Sequence, residues 1–291
     1  MFDLHSHILP GIDDGAPELA VSLQMARAYV DQGVEIVACT PHILPGLYHN
    51  SGTQIRQAVA DLQRQLDEAG IPLRLTTGAD NHVVPDFVGG LSHGHLLTIG
   101  DSRYVLVEPP HHVAPPQLEE LFFNVLVAGY VPVLTHPERL TWIEQNYAIM
   151  KRLAARGVWM QITSGSLSGS FGRRPKYWAR RMLSEGLVHI LATDAHNMTR
   201  RPPDLLAGYR AAEDILGQEE AEKLVVTRPY AILSNDMPAN VPPPLVAAQK
   251  SGAQQGGAAD YDPRGNNEGI AGPGVGSAGG FGRRLRRLFG Q

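Results

Sequence analysis

A hydrophobic rhythm recurs along roughly the first 235 residues of the chain. A stretch with helical spacing of apolar positions ends in Gly, and a run rich in Val, Ile and Leu follows at once. This happens at Gly33 (then VEIVACT), Gly70 (IPLRLTTG), Gly129 (YVPVLTH), Gly157 (VWMQITS) and Gly186 (LVHILATD). Gly closes helices because it enters the left-handed region without a Cβ penalty. Nearly unbroken β-branched runs suit strands covered on both faces. FDLHSH at the N-terminus and RYVLVE at 103–108 lack the Gly lead-in but read as strands too. The pattern predicts helices at about 16–32, 53–69, 115–128, 146–156, 175–185 and 205–216. For the first of them, Asp14 near the cap, Pro17 in the first turn and Glu18 beside it form a start signal. Strands alternating with helices imply an α/β fold with a parallel sheet. About seven strands fit either a closed barrel or an open doubly wound sheet, and periodicity does not separate the two.

The pattern stops near residue 237. Residues 237–291 hold 12 of the 31 Gly, with much Pro and Ala and little that could build a core. This divides the chain into a folded domain at 1–236 and a tail at 237–291, which the composition predicts to be disordered. The tail ends in FGRRLRRLFG. A solvated basic terminus is the plainer reading of that end, and a short helix docking on an acidic partner or membrane surface is the sharper one.

Net charge is −4, which gives no sign of a general nucleic-acid binder. The single cysteine, Cys39, cannot form an internal disulfide, and the N-terminus has no secretory pattern. No stretch approaches the ~18 apolar residues of a membrane span. Together these predict a cytoplasmic protein.

The 12 histidines are unevenly placed and gather near acids at strand ends. The predicted strands run into His5-Ser6-His7, Thr40-Pro41-His42, Gly78-Ala79-Asp80, Glu108, His136-Pro137-Glu138-Arg139 and Asp194-Ala195-His196. In parallel α/β folds the C-terminal strand ends share one face, where sites are built. His5 with His7, and Asp194 with His196, have the i, i+2 spacing that points two side chains the same way along a strand. Mixed His and carboxylate donors suit Mn, Fe or Zn, and the absence of thiolates argues against a structural zinc site. Taken singly, His42 or His136 reads as a loop or core histidine, Asp14 as a helix cap and Glu108 as a surface acid. Their joint placement favours a metal site. His189 lies within a strand and reads as structural. His49, His82, His93, His95, His111 and His112 fall in loops without an assigned role, with His82 the nearest exception because it follows Asp80. Arg139 and Arg201 match phosphate oxygens in a two-pronged geometry, while Arg200, Arg173 and Arg174 compete for that part.

The motifs DLHSHILPGIDDG, TPH at 40–42, GAD at 78–80, THPER at 135–139 and ATDAHN at 192–197 resemble the polymerase-and-histidinol-phosphatase superfamily. DDG at 13–15, GDSRYVLVE at 100–108, QITSGSLSGSFG at 161–172 and HNMTRRPP at 196–203 resemble its CpsB/CapC-type bacterial tyrosine phosphatases. The resemblance covers about residues 1–235. It implies a distorted (β/α)7 barrel with up to three metal ions, usually Mn2+. His5, His7, Asp80 and Asp194 would hold the first. Asp80, Glu108 and His136 would hold the second, and Asp14, His42 and His196 the third. Arg139 and Arg201 would bind the substrate phosphate. The substrate implied is a tyrosine-phosphorylated protein, typically an autokinase controlling capsule or exopolysaccharide synthesis. The family pattern has Glu where this chain has Asp80, so the reach of that bridging carboxylate is in question. A metal-held hydroxide attacking phosphorus in line is the expected chemistry. Cys39 lies within a strand with no CX5R loop around it, so no phosphocysteine is expected. A histidinol-phosphate or nucleotide phosphoesterase and a non-catalytic metal-binding adaptor are the competing readings.

Overall fold

Seven strand positions, all parallel, close on themselves in the computed structural model, which describes residues 1–246. The first is β1 (Phe2–Ser6). The second is split into β2 (Ile36–Cys39) and β3 (His42–Ile43), and the third into β4 (Arg74–Thr77) and β5 (Asp80–His82). β6 (Tyr104–Glu108), β7 (Val131–Thr135), β8 (Trp159–Thr163) and β9 (Ile190–Ala192) complete the set. β1, β2 and β4 form one ladder, and β3, β5, β6, β7, β8 and β9 form the other. The two are joined where Thr40 N–H donates to Ser6 O at 2.9 Å and Asp80 N–H to Pro41 O at 3.2 Å. The ring shuts through Asp194 N–H to His5 O and His7 N–H to Ala195 O, both 2.8 Å. The chain is thus a distorted (β/α)7 barrel. Its distortion has a covalent cause at Pro41, which has no N–H to give to a ladder. The neighbouring strand breaks at Gly78-Ala79, so both interruptions fall side by side.

The helices fall where the Gly-terminated pattern predicts them. They are α1 (Leu19–Asp31), α2 (Gly52–Glu68), α4 (Leu118–Val127), α5 (Ile143–Ala155), α7 (Arg173–Ser184) and α8 (Leu205–Leu216), with short α3 (Phe87–Ser92) and α6 (Ser164–Ser168) between them. The turn glycines take the left-handed conformation, as at Gly33 (φ 76°) and Gly157 (φ 96°). α2 starts with a capping box, in which Ser51 and Gln54 serve each other's backbone N–H. α1 starts later than the sequence suggests. Its cap is Glu18, without a side-chain bond, and Asp14 is free for another role.

Alternation sorts the core into two layers. Val105, Val107, Leu134, Met160, Ile162 and Leu191 face the helices. Tyr104, Leu106, Val131, Val133, Trp159 and Ile190 face inward with Leu4 and Ala38. The inward column of β6 therefore reads Tyr104, Leu106, Glu108, apolar at the bottom and acidic at the C-terminal mouth. In β1 the register slips by one residue between Asp3 and Ser6, so three residue steps oppose two on β2. Such a bulge re-aims a side chain. It lets adjacent Leu4 and His5 both be buried, one in the apolar interior and the other at the mouth.

Residues 237–246, assigned above to the tail, pack on the barrel instead. Pro238–Asn240 form a 3-10 turn and Val241 is buried beside Trp159 and Ile232 in the inward cluster. Arg228, wholly buried, binds them by donating from Nε to Pro242 O and from Nη2 to Pro243 O, each at 2.8 Å. Arg228 also pairs with the buried Glu220 carboxylate, and the two prolyl carbonyls take further donors, a reason composition does not reveal. The rest of the predicted tail, 247–291 with its basic end, lies outside the described residues.

Candidate metal centre

At the C-terminal mouth the barrel gathers all nine predicted donors into one cluster. Ligand atoms of His5, His7 and Asp80 lie within 4.8 Å of one another, and the same holds for His5, His136 and Asp194, and for His42, Asp80 and Glu108. His7, Asp14, His42 and His196 form a further such group. Every member except Asp14 lies inside the protein, and Asp14 rims the opening.

Asp80 is central. Its Oδ2 is 3.5 Å from His5 Nε2, 3.5 Å from His42 Nδ1 and 3.8 Å from His136 Nε2. The shorter acid thus reaches the middle of the cluster, because it stands directly on β5. Glu108 comes in from β6, 3.3 Å from His42 Nδ1 and 3.6 Å from His136 Nε2. His42 faces both ways, since its Nε2 is 3.5 Å from Asp14 Oδ1. Tyr48 stacks on that imidazole, ring centroids 5.6 Å apart. His196 Nε2 is 3.4 Å from the same Asp14 oxygen. Asp14 is therefore a member of the cluster and not a helix cap.

The i, i+2 strand geometry is met by neither pair: β1 ends at Ser6 with a register slip before it, so His7 lies just past the strand, and Asp194 and His196 lie past β9. β9 ends at Ala192, and Asp194 adopts a left-handed backbone with φ 52°. His136, just beyond β7, does the same at φ 33°. Non-glycine residues pay about 1–2 kcal/mol for that region, and such strain concentrates at functional sites.

The hydrogen bonds behind the histidines fix which nitrogen faces inward. His5 Nδ1 bonds Gln161 Oε1 at 2.9 Å, His7 Nδ1 bonds Asp13 Oδ2 at 2.7 Å, and His196 Nδ1 bonds the Asp194 carbonyl at 3.0 Å. All three acceptors require Nδ1–H, which leaves Nε2 as the atom each ring turns to the cluster. His5 Nε2 and His7 Nε2 lie 3.3 Å apart. This arrangement is the usual support behind metal-binding imidazoles. Both Asp80 oxygens and Asp194 Oδ1 are buried without a hydrogen-bond donor. Buried ionised oxygens with no donor are costly unless a cation neutralises them. The donor set therefore fits divalent cations.

The acids make the cluster attractive to positive charge. Burial disfavours a charge on His5, but Asp194 and Asp80 outweigh it and push its pKa up to about 9. His42 goes up to about 10 against the same burial penalty, through Glu108, Asp80 and Asp14. Burial holds His136 down to about 4, helped by Arg139. Burial and His7 hold His196 down to about 4. Asp194 stays well below the ordinary carboxylate range, since Arg201, His5 and Arg139 overcome its burial.

Two guanidinium groups complete the mouth. Arg139, in the 3-10 turn after β7, and Arg201 both donate to Asp194 Oδ2. Asn197 ties the loop that returns Arg201 to the site, accepting from the backbone N–H groups of Arg200 and Arg201 at 2.8 and 3.2 Å. Arg200 is exposed, Arg173 also, and Arg174 caps the carbonyls of Leu140 and Thr141. Arg201 Nη1 lies 2.7 Å from His196 Nε2.

Four participants carried no assigned role in the sequence. His111 Nε2 is 3.3 Å from Glu108 Oε1 and forms a donor group with Glu108 and His136. Nothing in a loop after two prolines signals this. Asp13 and Gln161 stand behind His7 and His5. Asp13 adjoins Asp14, and a Gln buried in an apolar strand is itself a clue. His82 Nδ1 is 3.6 Å from Glu108 Oε2, at the edge of the cluster. His49, His93, His95 and His112 join none of the donor groups. Cys39 is fully buried and burial pushes its thiol up, so it offers no nucleophile.

A parallel barrel with a histidine–carboxylate centre at its mouth and a pair of arginines beside it defines the class. The chain belongs to the CpsB/CapC family of capsular polysaccharide synthesis, whose family model matches residues 1–234. It is 39% identical to the tyrosine-protein phosphatase YwqE of Bacillus subtilis over 69% of this chain and 79% of that protein. It is 29% identical to the tyrosine-protein phosphatase CpsB of Streptococcus pneumoniae over 81% of this chain and 100% of that protein. A solved structure from work on those two enzymes, described as unique metal-dependent tyrosine phosphatases, superposes with a TM-score of 0.78 at 35% identity, covering 81% of this chain and 96% of that one. Among the described residues, no helix is long and apolar enough to cross a membrane.

Proposed function

We propose that this chain is a Mn2+-dependent protein tyrosine phosphatase acting in the cytoplasm on a phosphorylated autokinase of capsule or exopolysaccharide synthesis. The observation that carries the reading is the set of donorless oxygens, both of Asp80 and Oδ1 of Asp194, beside the His5 and His7 rings, whose Nδ1 atoms are held from behind. His5, His7, Asp80 and Asp194 would hold one ion, and Asp80, Glu108 and His136 a second, with His111 as a further donor to it. Asp14, His42 and His196 would hold the third. When bound, divalent cations supply water that ionises near neutral pH and neutralise charge on a phosphoryl oxygen.

The chain's own groups do the rest. Arg139 and Arg201 converge on one point and offer planar forks to the equatorial phosphate oxygens. The leaving phenolate is stable enough that no strong general acid is required of the protein. His5, His7 and His196 keep their Nδ1 protons, held by Gln161, Asp13 and the Asp194 carbonyl. The names of the relatives and the likeness to metal-dependent tyrosine phosphatases support the substrate class.

The test combines metal analysis with a phosphotyrosine-peptide assay on one purified sample. Chelation should abolish turnover and Mn2+ should restore it better than Fe2+ or Zn2+. Full turnover by the stripped protein in excess chelator refutes the mechanism. Preferred turnover of histidinol phosphate or a nucleotide refutes the substrate.

A further inference from the structure

The segment Gln161–Gly172 carries a resemblance in sequence but only Gln161 has entered the chemistry so far. Its other end holds Phe171, whose ring lies beneath both mouth arginines. The Arg139 guanidinium carbon is 4.6 Å from the ring centroid and that of Arg201 is 5.9 Å from it. The two arginines come from different loops, after β7 and after β9, and carry the same charge. Nothing in their own backbones holds them together. Their shared contacts are the Asp194 oxygen in front and the Phe171 face behind.

The ring is itself seated. Gly165, in α6, has no side chain where Phe171 lies. A Cβ there would come 2.9 Å from Phe171 Cε2 and 3.3 Å from Cδ2. Arg201 Nε, buried and without an acceptor, is one donor the pair still has to offer a ligand.

We propose that Phe171 is a positioning residue for phosphate binding. Its ring face, seated on Gly165, keeps the forks of Arg139 and Arg201 aimed at a single phosphoryl group. The inference rests on the reading that these arginines bind phosphate. A π face attracts a guanidinium without consuming any of its N–H donors, so it can hold the pair without taking donors beyond those already on Asp194 and His196. A carboxylate in the same place would compete with the substrate anion.

The experiment uses the metal-loaded full chain and four forms: wild type, Phe171→Leu, Phe171→Tyr and Gly165→Ala. Three quantities are read: metal content, competitive inhibition by inorganic phosphate, and KM and kcat on a phosphotyrosine peptide. Phe171→Leu keeps apolar bulk but loses the π face. It should weaken phosphate inhibition and raise KM by about 3- to 30-fold, the range of an interaction of this kind, with metal content unchanged. Phe171→Tyr should stay within about twofold of wild type, since it keeps the face. Gly165→Ala, which displaces the ring without removing it, should move in the direction of Phe171→Leu. The proposal is overturned if Phe171→Leu leaves phosphate inhibition and KM unchanged, if Phe171→Tyr is as impaired as Leu, or if the loss follows metal content. If wild type binds phosphate but hydrolyses no phosphotyrosine, the functional reading fails while the phosphate measurement still judges Phe171.

Discussion

Asp13→Asn makes a sharp test of how the centre is held, because the substitution keeps shape and changes one atom. Asp13 Oδ2 accepts His7 Nδ1–H at 2.7 Å and His42 N–H at 3.0 Å, while Oδ1 accepts Gly15 N–H at 2.9 Å. All three partners donate. Burial raises the Asp13 carboxyl, but the His7 ring outweighs it, so the group is ionised. An Asn side chain has one oxygen for those three donors. Turned toward His7 and His42, it sets its NH2 against Gly15 N–H and leaves that bond unmade, at about 1–3 kcal/mol of stability. Turned the other way, the NH2 faces His7 Nδ1. That selects the tautomer with the proton on Nε2 and removes the lone pair aimed at the cluster. Either way His7 loses a charged partner. Loss of such support behind a metal-binding histidine typically costs 10–100-fold in metal affinity, about 1.4–2.7 kcal/mol. Calorimetric titration of stripped wild type and Asp13→Asn with Mn2+ measures this directly, and turnover at saturating metal should largely recover. Equal Mn2+ affinities would refute the reasoning, because His7 would then owe nothing to its hydrogen bond.

Three further outcomes follow from other parts of the molecule. Arg139→Lys and Arg201→Lys should each lower kcat/KM on phosphotyrosine peptide about 10- to 150-fold at unchanged metal content, the worth of a charge-assisted hydrogen bond lost; steady-state kinetics showing no change would remove that arginine from phosphate binding. Ending the chain at residue 236 strips buried Arg228 of the Pro242 and Pro243 carbonyls and should cost about 2–6 kcal/mol in urea unfolding, whereas ending it at 246 keeps both bonds; equal midpoints for the two would contradict the packing described. His189 accepts Met160 N–H on Nδ1 at 3.2 Å, and burial with Arg228 holds its pKa down to about 3. The unfolded chain takes up a proton near pH 6.5 that the folded one refuses, so stability should fall as pH drops from about 6.5 toward about 3, by about 1.4 kcal/mol per unit, and be flat in this respect above it. His189→Gln should lose that share of the slope in unfolding measured against pH, and identical slopes would rule it out.

Much of the architecture could be read in advance because it rests on local rules. Gly after an amphipathic stretch marks where a helix must stop, and Val-rich runs mark strands that have no wet face. The strand-end histidines and acids could be placed together because a parallel barrel brings those ends to one rim. What escaped depends on contacts across the chain. His111 touches Glu108 only because the loop after Pro109-Pro110 folds back. The left-handed turns at His136 and Asp194 replace the extended geometry that strand spacing assumes. Residues 237–246 look like linker by composition, yet they are fixed by their carbonyl oxygens, which every residue possesses and no sequence pattern advertises. Asp80, one methylene short of the family pattern, still brings Oδ2 within 3.5 Å of both His5 Nε2 and His42 Nδ1 from β5.

Asp194 divides its two oxygens between neighbours of opposite kind, imidazoles on one side and guanidinium groups on the other. Ion capture and anion capture are thereby wired through a single carboxyl group. Substitutions in the two halves should not combine as independent energies: damage on the arginine side will be felt by the histidines, and a double-mutant cycle between Arg201 and His7 should leave a residual well above the few tenths of a kcal/mol seen for unconnected sites.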